Sequence, residues 1–358
     1  MKKILIFTYS DNLGGSEINA LKIIRLSNNI NFDWLVLNSS NSDLTKKIKN
    51  CNNLENYISL NCDRISSIKI FRYFNLLFNI LKKGNYKSIY AVDFIPSLLV
   101  SLLKPFFAFK FISTRRSRMP WAKYYHTPFI YFIYLMSDYI ETNSKFIERE
   151  LQRKILTKKK VYFLPNMILK PKIDKHEIFK KNKKYIGNVA NVKEEKNIDL
   201  FLSLALKIIK QNENIIFLLI GRDSINEKVK NFIKKNKLED RLIILENINY
   251  DEIFSIYFGL DIFLFTSKYE GSPNVLYEAI SVSIPIVASR IFATEELIDN
   301  DFNGYLCDLE KENEFIEKIN LLINDQTNYN RIKNNSKNYF KKLDNMEFAV
   351  KQIQDKIF

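Results

Sequence analysis

Short apolar runs alternate with amphipathic segments along the chain, and this alternation constrains the fold more than any other feature of the sequence. The apolar runs have the length of buried strands and lie at 4–7, 34–37, 88–92, 109–112, 161–164, 185–189, 215–220, 242–245, 262–265 and 284–288. The segments between them that space their apolar residues as helices do lie at 17–26, 65–82, 144–154, 198–209, 226–235, 273–281 and 313–323. Repeated strand–helix units with fully apolar strands predict parallel sheets covered on both faces by helices, which is an α/β fold.

The length of 358 residues and a change of composition after residue 165 predict two domains. An apolar strand ends at Pro165, and a lysine-rich polar stretch precedes the next strand at 185. We therefore expect one doubly wound, Rossmann-like domain at 1–165 and a second at 166–344, with a last helix at 345–358 that packs on either of them, the first being favoured. Such domains would place loops from the carboxyl ends of both sheets around a ligand in a central cleft.

The net charge of +15 lies entirely in the first half of the chain. Residues 1–165 hold 26 Lys and Arg against 11 Asp and Glu, whereas residues 166–358 hold 29 of each. Such a split predicts an anionic partner for the first domain: phospholipid, nucleic acid or a phosphate-bearing substrate. Cations alternate with aromatic residues around 104–125, and Arg118, Lys123 and Trp121 favour an anionic membrane surface. We expect no nucleic-acid partner.

Metal-binding residues are sparse. The three cysteines are isolated and there are two histidines, so we expect no zinc site, no Cys–His nucleophile pair and no disulfide framework. Asp299 and Asp301 have Asp-x-Asp spacing, but the residues around them have the composition of a turn. The longest uncharged run, 124–137, has 14 residues, fewer than the roughly 20 that span a membrane. We predict a metal-independent protein in the cytoplasm or on the cytoplasmic face of a membrane.

One strand-to-helix junction carries the strongest functional signal. The strand at 262–265 leads into Glu270-Gly-Ser-Pro-Asn-Val-Leu-Tyr-Glu278, where a helix is expected to begin at Pro273 or Asn274 with Ser272 as its N-cap. Free backbone N–H groups and the positive end of the helix dipole suit a diphosphate at that point. Glu270 would precede the helix and Glu278 would lie about one turn inside it. Taken singly, each glutamate is also consistent with a solvated surface residue.

The whole segment resembles the E-x7-E signature of retaining glycosyltransferases with the GT-B fold, in particular family 4, the group 1 transferases. The resemblance continues through Ile284-Pro-Ile-Val-Ala-Ser, Thr294-Glu-Glu296-Leu-Ile and Asn303-Gly304-Tyr-Leu, and covers residues 185–325. It implies that Glu278 binds the ribose hydroxyls of a nucleotide sugar and that Glu270 lies beside the transferred sugar. It also implies a donor-binding segment for sugar hydroxyls and diphosphate, formed by Gly271, Ser272, Pro273, Asn274, Val275 and Leu276.

A second phosphate-binding segment is predicted at 190–197, which reads Ala-Asn-Val-Lys-Glu-Glu-Lys-Asn. It resembles the family's G-R-L-x-x-x-K-G loop, and the resemblance puts Lys196 in the place of the phosphate-binding lysine. A lysine suits this task because its charge is compact. Asn191 stands where Arg is usual, and Asn197 where Gly is usual, so one expected cation is missing. Either Lys193 or a cation of the first domain compensates, or phosphate binding is weaker.

The first domain offers two further candidates at the ends of predicted strands. Gly14 and Gly15 follow the first strand, where glycine allows the backbone to approach a ligand closely, and the family often has a similar loop near the donor phosphate. An ordinary tight turn explains these glycines equally well. Arg115 and Arg116 follow the strand at 109–112. They would replace the missing cation or hold an anionic acceptor, unless they form a solvated basic loop.

Together these observations predict a metal-independent glycosyltransferase of the hexosyltransferase type, and the family resemblance implies that it is retaining. Its co-substrate would be a nucleotide-diphosphate sugar, with UDP-sugars favoured, and it would need no cofactor. Lys196 and the helix amides would stabilise the leaving diphosphate, while Glu270 acts on the sugar as a nucleophile or electrostatically. The acceptor would be a glycan or a lipid-linked glycan in surface polysaccharide, lipopolysaccharide or glycoconjugate synthesis. The alternatives are a nucleotide-sugar epimerase or hydrolase on the same scaffold, and a non-enzymatic protein that binds anionic surfaces.

Overall fold

The computed structural model describes most of the chain as two compact α/β units. The described residues are 3–11, 15–27, 30–39, 43–61, 67–116, 124–154, 160–168, 177–221, 227–246, 248, 250–343 and 346–358. The first unit comprises Met1–Met167 together with Asn345–Phe358, and the second comprises Ile168–Asp344.

Among the described residues, the first unit has seven strands and six α-helices before the chain enters the second unit. The strands are β1 (Lys3–Ser10), β2 (Asn31–Asn38), β3 (Leu54–Ser59), β4 (Ser88–Ala91), β5 (Lys110–Thr114), β6 (Tyr139–Thr142) and β7 (Val161–Phe163). The helices are α1 (Gly15–Arg25), α2 (Asp43–Lys49), α3 (Ser67–Gly84), α4 (Phe94–Leu103), α5 (Thr127–Met136) and α6 (Lys145–Lys154). All strand pairs are parallel, in the order β3-β2-β1-β4-β5-β6-β7. The interiors of β1, β2 and β4 are buried, as expected for a sheet covered on both faces.

The second unit repeats this architecture, with six parallel strands in the part of it that the structure describes. The strands are β8 (Lys184–Val189), β9 (Ile215–Ile220), β10 (Leu242–Leu245), β11 (Ile262–Phe265), β12 (Ile286–Ser289) and β13 (Tyr305–Cys307). The helices are α7 (Ile198–Gln211), α8 (Glu227–Asn236), α9 (Tyr250–Gly259), α10 (Asn274–Ser281), α11 (Phe292–Glu295), α12 (Glu312–Asn324) and α13 (Gln326–Leu343). The strand order is β10-β9-β8-β11-β12-β13.

The chain then returns to the first unit through α14 (Met346–Gln352), which continues as a π-helical turn at Ile353–Ile357. Ala349, Ile353 and Ile357 are buried in the same core cluster as Trp34 and Tyr162. Of the two partners that the sequence leaves open for this last helix, the structure therefore selects the first unit.

Both sheets are doubly wound, so the predicted fold class is confirmed. The strand order reverses between β1 and β4 in the first sheet and between β8 and β11 in the second. Ligands of open parallel sheets bind outside the carboxyl ends of the strands at such a reversal. In the second unit, the loops that follow β8 and β11 are therefore the candidates for ligand binding. Among the helices within the described ranges, none has the length and apolar composition to cross a membrane.

Candidate active site

The loop between β11 and α10 lies at the carboxyl edge of the second sheet. α10 begins at Asn274, with Pro273 in the N-cap position, and Pro273 provides no side-chain cap. Ser272 was expected to be the N-cap, but its Oγ instead lies 3.5 Å from the hydroxyl of Tyr277, so that prediction was wrong. Pro273 thus supplies no side-chain acceptor to the first helical turn, and a helix start of this kind suits an anion.

Glu278 lies one turn inside α10 and is 4% exposed. Its Oε2 accepts a hydrogen bond of 3.0 Å from the hydroxyl of Tyr257 on α9, and Tyr257 is fully buried. A buried carboxylate is costly unless it is hydrogen-bonded, and here a neighbouring helix supplies the donor. Glu278 is therefore not a solvated surface residue, and its carboxylate is held in place by the fold.

Lys196 and Glu270 are 74 residues apart in the chain and form one ion pair. Lys196 Nζ contacts Glu270 Oε1, and the two side chains keep 22% and 19% of their surface exposed. Both predicted catalytic residues therefore lie side by side, and both remain reachable from solvent.

Two hydrogen bonds hold the loop that carries Lys196 against the loop that carries Glu270. Thr266 Oγ1 donates to the carbonyl oxygen of Lys196 at 3.0 Å. The amide of Lys268 donates to the carbonyl oxygen of Glu195 at 2.7 Å. The position of the lysine is thus set by backbone contacts as well as by its charge.

Asn197 stands at the end of the loop, at the position where glycine is usual. Lys196 ends a 3-10 turn at Glu194–Lys196, and Asn197 follows with φ 49° and ψ 52° as the N-cap residue of α7. This left-handed conformation is easiest for glycine, and asparagine tolerates it better than most other residues. Asn191 precedes the turn, and its carbonyl oxygen accepts a hydrogen bond of 2.9 Å from the amide of Lys193.

Some residues of the predicted donor-binding segment are partly exposed, and others are buried. Ser272, Asn274 and Val275 are partly exposed, whereas Gly271 and Pro273 are buried. Leu276 is fully buried in the core of the unit, and its amide donates to the carbonyl oxygen of Pro273 at 3.1 Å. The amide of Leu276 is therefore already engaged within the protein.

Sequence reasoning missed three buried polar residues that support this site. Tyr257 holds Glu278, Thr266 holds the Lys196 backbone, and Asn188 Nδ2 donates to Thr266 Oγ1 at 3.3 Å. Thr266 directly follows an apolar strand at its carboxyl end, which is a signal that could have identified it. Tyr257 offers no such signal, because its partner lies on another helix.

In the first unit, Arg116 has an internal counter-ion. Its Nη2 donates at 2.7 Å both to Glu141 Oε1 and to the hydroxyl of Tyr90, and Glu141 and Tyr90 are fully buried. The Arg116 side chain is 7% exposed, so it is not part of a solvated basic loop. The amide of Arg115 donates to the carbonyl oxygen of Glu141 at 2.7 Å. The role of either arginine toward phosphate or acceptor stays a prediction.

The glycine-rich turn of the first unit is described in part. Gly15 is exposed and begins α1, while Gly14 lies outside the described residues, as do Arg118, Trp121 and Lys123. Glu17, two residues into α1, is 7% exposed. Burial, with a further contribution from the charge of Asp93, raises the pKa of Glu17 to about 7.

Asp299 and Asp301, which have the Asp-x-Asp spacing, belong to a turn. The Asp301 carboxylate forms an ion pair with Arg331 at 2.7 Å. The amide of Asp299 donates to Asn303 Oδ1 at 2.8 Å. Within the ranges that the structure describes, no group of three or more His, Cys, Asp or Glu side chains is arranged to hold a metal ion.

The family described as glycosyl transferases group 1 matches residues 170–339, which contain Lys196, Glu270 and Glu278. An uncharacterised glycosyltransferase of Methanocaldococcus jannaschii is 30% identical over 148 residues. That match covers 41% of this chain and 40% of the relative, so the chain spans less than half of the relative's length. The match agrees with the resemblance that the motifs of this segment carry.

Two further similarities extend over nearly the whole chain. One relative, from Campylobacter jejuni, is 24% identical, and the match covers 98% of each chain. It is the N-acetylgalactosamine-N,N'-diacetylbacillosaminyl-diphospho-undecaprenol 4-alpha-N-acetylgalactosaminyltransferase. The crystal structure of Anabaena HepE in complex with UDP-glucose superposes with a TM-score of 0.81 at 14% identity, with 99% of each chain covered. The two doubly wound units therefore have the GT-B fold.

Proposed function

We propose that this protein is a hexosyltransferase-type glycosyltransferase that moves a sugar from a nucleotide-diphosphate sugar to a glycan or lipid-linked glycan acceptor. The observation that carries the proposal is the pairing of Lys196 with Glu270 just before the uncapped start of α10. A cation and helix amides suit a departing diphosphate, and a carboxylate suits a sugar that develops positive charge. The family match to the same segment supports this assignment.

A UDP-sugar is the donor we favour, because a solved structure with the same fold contains UDP-glucose. Glu278 would accept hydrogen bonds from the ribose hydroxyls, and the hydroxyl of Tyr257 would keep its carboxylate in position. Hydrogen bonds to a charged group are stronger than those between neutral groups, which suits an anchoring contact.

In the proposed reaction, the diphosphate replaces Glu270 as the partner of Lys196. The released Glu270 carboxylate then faces the sugar, where it stabilises positive charge at the anomeric carbon or bonds to it. The bond from the anomeric carbon to the diphosphate oxygen breaks, a bond to the acceptor oxygen forms, and the acceptor's proton leaves with the diphosphate. The configuration at the anomeric carbon is retained. Lys196 and the helix amides supply the charge stabilisation, so the reaction needs no metal ion.

The acceptor we propose is a lipid-linked or free glycan used in surface polysaccharide, lipopolysaccharide or glycoconjugate synthesis. The relative from Campylobacter jejuni carries diphospho-undecaprenol in its name, and its similarity extends over 98% of this chain. An acceptor of this kind places the protein in the cytoplasm at the membrane surface.

The test is whether release of nucleoside diphosphate depends on an added acceptor. The protein is incubated with UDP-sugars and a lipid-linked glycan fraction, and UDP and glycan masses are followed together. We expect one UDP for each glycan that gains one sugar. Release of UDP without an acceptor would indicate a hydrolase, isomerised donor would indicate an epimerase, and no consumption of any nucleotide sugar would contradict the proposal. Glu270→Gln should abolish transfer, whereas Glu317→Gln, at a 69% exposed side chain of α12, should not.

A further inference from the structure

The C-terminal ends of α4 and α5 present large apolar side chains to solvent. Leu102, on α4, and Phe106, in the 3-10 turn that follows, are 42% and 65% exposed. Tyr131 and Leu135, both on α5, are 50% and 69% exposed. Tyr131 and Leu135 are four residues apart on α5 and therefore share one side of that helix. Leu102 and Phe106 are exposed at the end of α4 and in the turn that follows it. We call these four residues the apolar surface.

The two pairs lie together on the first unit. α4 and α5 pack against each other. Lys104, in the turn between Leu102 and Phe106, pairs with Asp138, just after α5, at 2.7 Å. The surface also continues toward α3, because the ring of Phe78 lies 6.3 Å from that of Phe106. No residue of α5 is charged over its ten positions.

Lysines surround the apolar surface. Lys160 Nζ donates to the carbonyl oxygen of Ser137 at 2.9 Å, two residues beyond Leu135. Lys82 and Lys83 are exposed in the last turn of α3, one turn beyond Phe78. The exposed Lys87 directly precedes β4. The amide of Lys110, the first residue of β5, donates to the carbonyl oxygen of Lys87 at 2.9 Å. Cations therefore gather at the amino edge of the first sheet, where α3, α4 and α5 end.

We propose that the apolar surface and its surrounding lysines dock the protein onto an anionic phospholipid membrane. Exposed apolar side chains enter the interfacial region of a bilayer, and lysine ammonium groups pair with lipid phosphates. The half of the chain that carries the surface also carries the whole net charge of +15. The apolar surface consists of described residues, unlike the sequence-predicted Arg118, Trp121 and Lys123, and its role does not depend on transfer activity.

The composition of the surface favours a bilayer over other occupants. Two copies of the chain joined through it would bring lysines of like charge together. Single-stranded nucleic acid binds through stacking on aromatic rings, and Leu102 and Leu135 have none. A bilayer uses both the aliphatic side chains and the charges.

The first test is co-sedimentation of the full chain with phosphatidylcholine vesicles that contain or lack phosphatidylglycerol. We expect binding that requires phosphatidylglycerol and falls steeply with salt. The double variant Lys82→Gln/Lys83→Gln should weaken the partition coefficient by about tenfold or more. Its matched control is Lys234→Gln/Lys235→Gln, which changes two exposed lysines in the last turn of α8 and should bind as the parent does.

The second test locates the contact. Phe106→Trp should show a blue-shifted emission, and quenching by brominated lipid, that exceeds the signal of the parent protein. Phe258→Trp, at a 58% exposed position of the second unit, should show neither. All these positions are exposed, so unchanged thermal melting is expected for each variant. Absence of binding to anionic vesicles, equal binding of both double variants, or binding that leaves the Phe106→Trp emission unquenched would overturn the proposal.

Discussion

Asn197 adopts a left-handed backbone conformation directly after the lysine that we assign to the diphosphate. A side chain with a Cβ atom is strained there, and asparagine tolerates this conformation better than most other residues. The chain changes direction at this residue, from the 3-10 turn that ends in Lys196 to α7. The backbone at Asn197 therefore helps to aim Lys196 at its partner.

This geometry predicts opposite effects for two small substitutions at Asn197. Asn197→Gly should keep or raise the apparent Tm, whereas Asn197→Ala should cost about 1 kcal/mol of stability, because alanine has a Cβ atom and no polar group. The Ala variant should therefore melt about 2–4 °C below the parent protein. Thermal unfolding followed by fluorescence measures both, and equal melting of the two variants would contradict the assigned conformation.

At the scale of single residues, the sequence could indicate which glutamates matter but not what holds them. The E-x7-E spacing identified Glu270 and Glu278, yet one is paired with a lysine and the other is buried beneath a tyrosine hydroxyl. The N-cap was misassigned because Pro273 adopts an extended conformation, with φ −74° and ψ 112°, and itself precedes the first helical residue. Neighbouring residue types alone do not decide between Ser272 and Pro273.

At the scale of elements, two loops create the site because their strands are neighbours. β8 and β11 pair in the sheet although they are far apart in sequence, and the strand order reverses between them. The loops that follow the two strands therefore emerge at one edge, which brings Lys196 to Glu270.

Removal of the Lys196 charge should slow catalysis more than it weakens binding. We expect Lys196→Gln to lower kcat by about 10²–10³-fold, the usual cost of losing one preorganised charge-stabilising group, with a smaller change in KM. Lys196→Arg should restore part of the rate. Steady-state kinetics with saturating acceptor measure these effects.

Two other lysines make this experiment selective. Lys207→Gln, at a 47% exposed side chain of α7, should leave kcat unchanged. If Lys193→Gln loses the rate instead of Lys196→Gln, the phosphate cation is Lys193 and our assignment is wrong.

Four of the elements that the sequence analysis did not identify have clear physical reasons for being missed. β3 lies at the edge of its sheet with two exposed and four half-buried positions, so its apolar content is low. β6 contains Glu141, a buried charge that interrupts the apolar run. α4 and α5 are apolar on nearly every side and therefore lack the periodicity that marks an amphipathic helix. Each departs from the pattern by which strands and helices were identified.

At the scale of the whole molecule, the sequence was sufficient for the two doubly wound sheets but not for the return of the chain. The spacing of Ala349, Ile353 and Ile357 predicts a helix with one buried face. It does not indicate which core receives that face, because both cores are aliphatic and aromatic. Only the three-dimensional structure shows that this face packs into the core of the first unit.

The proposed phosphate ligands of this protein are a lysine and backbone amides, so transfer should survive chelation. We expect the initial rate in excess EDTA to equal the rate without it, measured as acceptor-dependent UDP release after removal of free metal. Complete loss that is restored by magnesium or manganese would show that the diphosphate needs a metal ion, with Asp299 and Asp301 as the first residues to examine.

The most direct test of the central claim, that the carboxyl edge of the second sheet holds a nucleotide donor through Glu278, is a calorimetric titration with UDP. The parent protein should bind UDP, and Glu278→Gln should bind it about tenfold to a hundredfold more weakly, because a charge-assisted hydrogen bond is worth roughly 1.5–3 kcal/mol. Glu295→Gln, at a 52% exposed side chain of α11, should bind UDP as the parent does. Equal affinity for UDP in a folded Glu278→Gln variant would contradict the account.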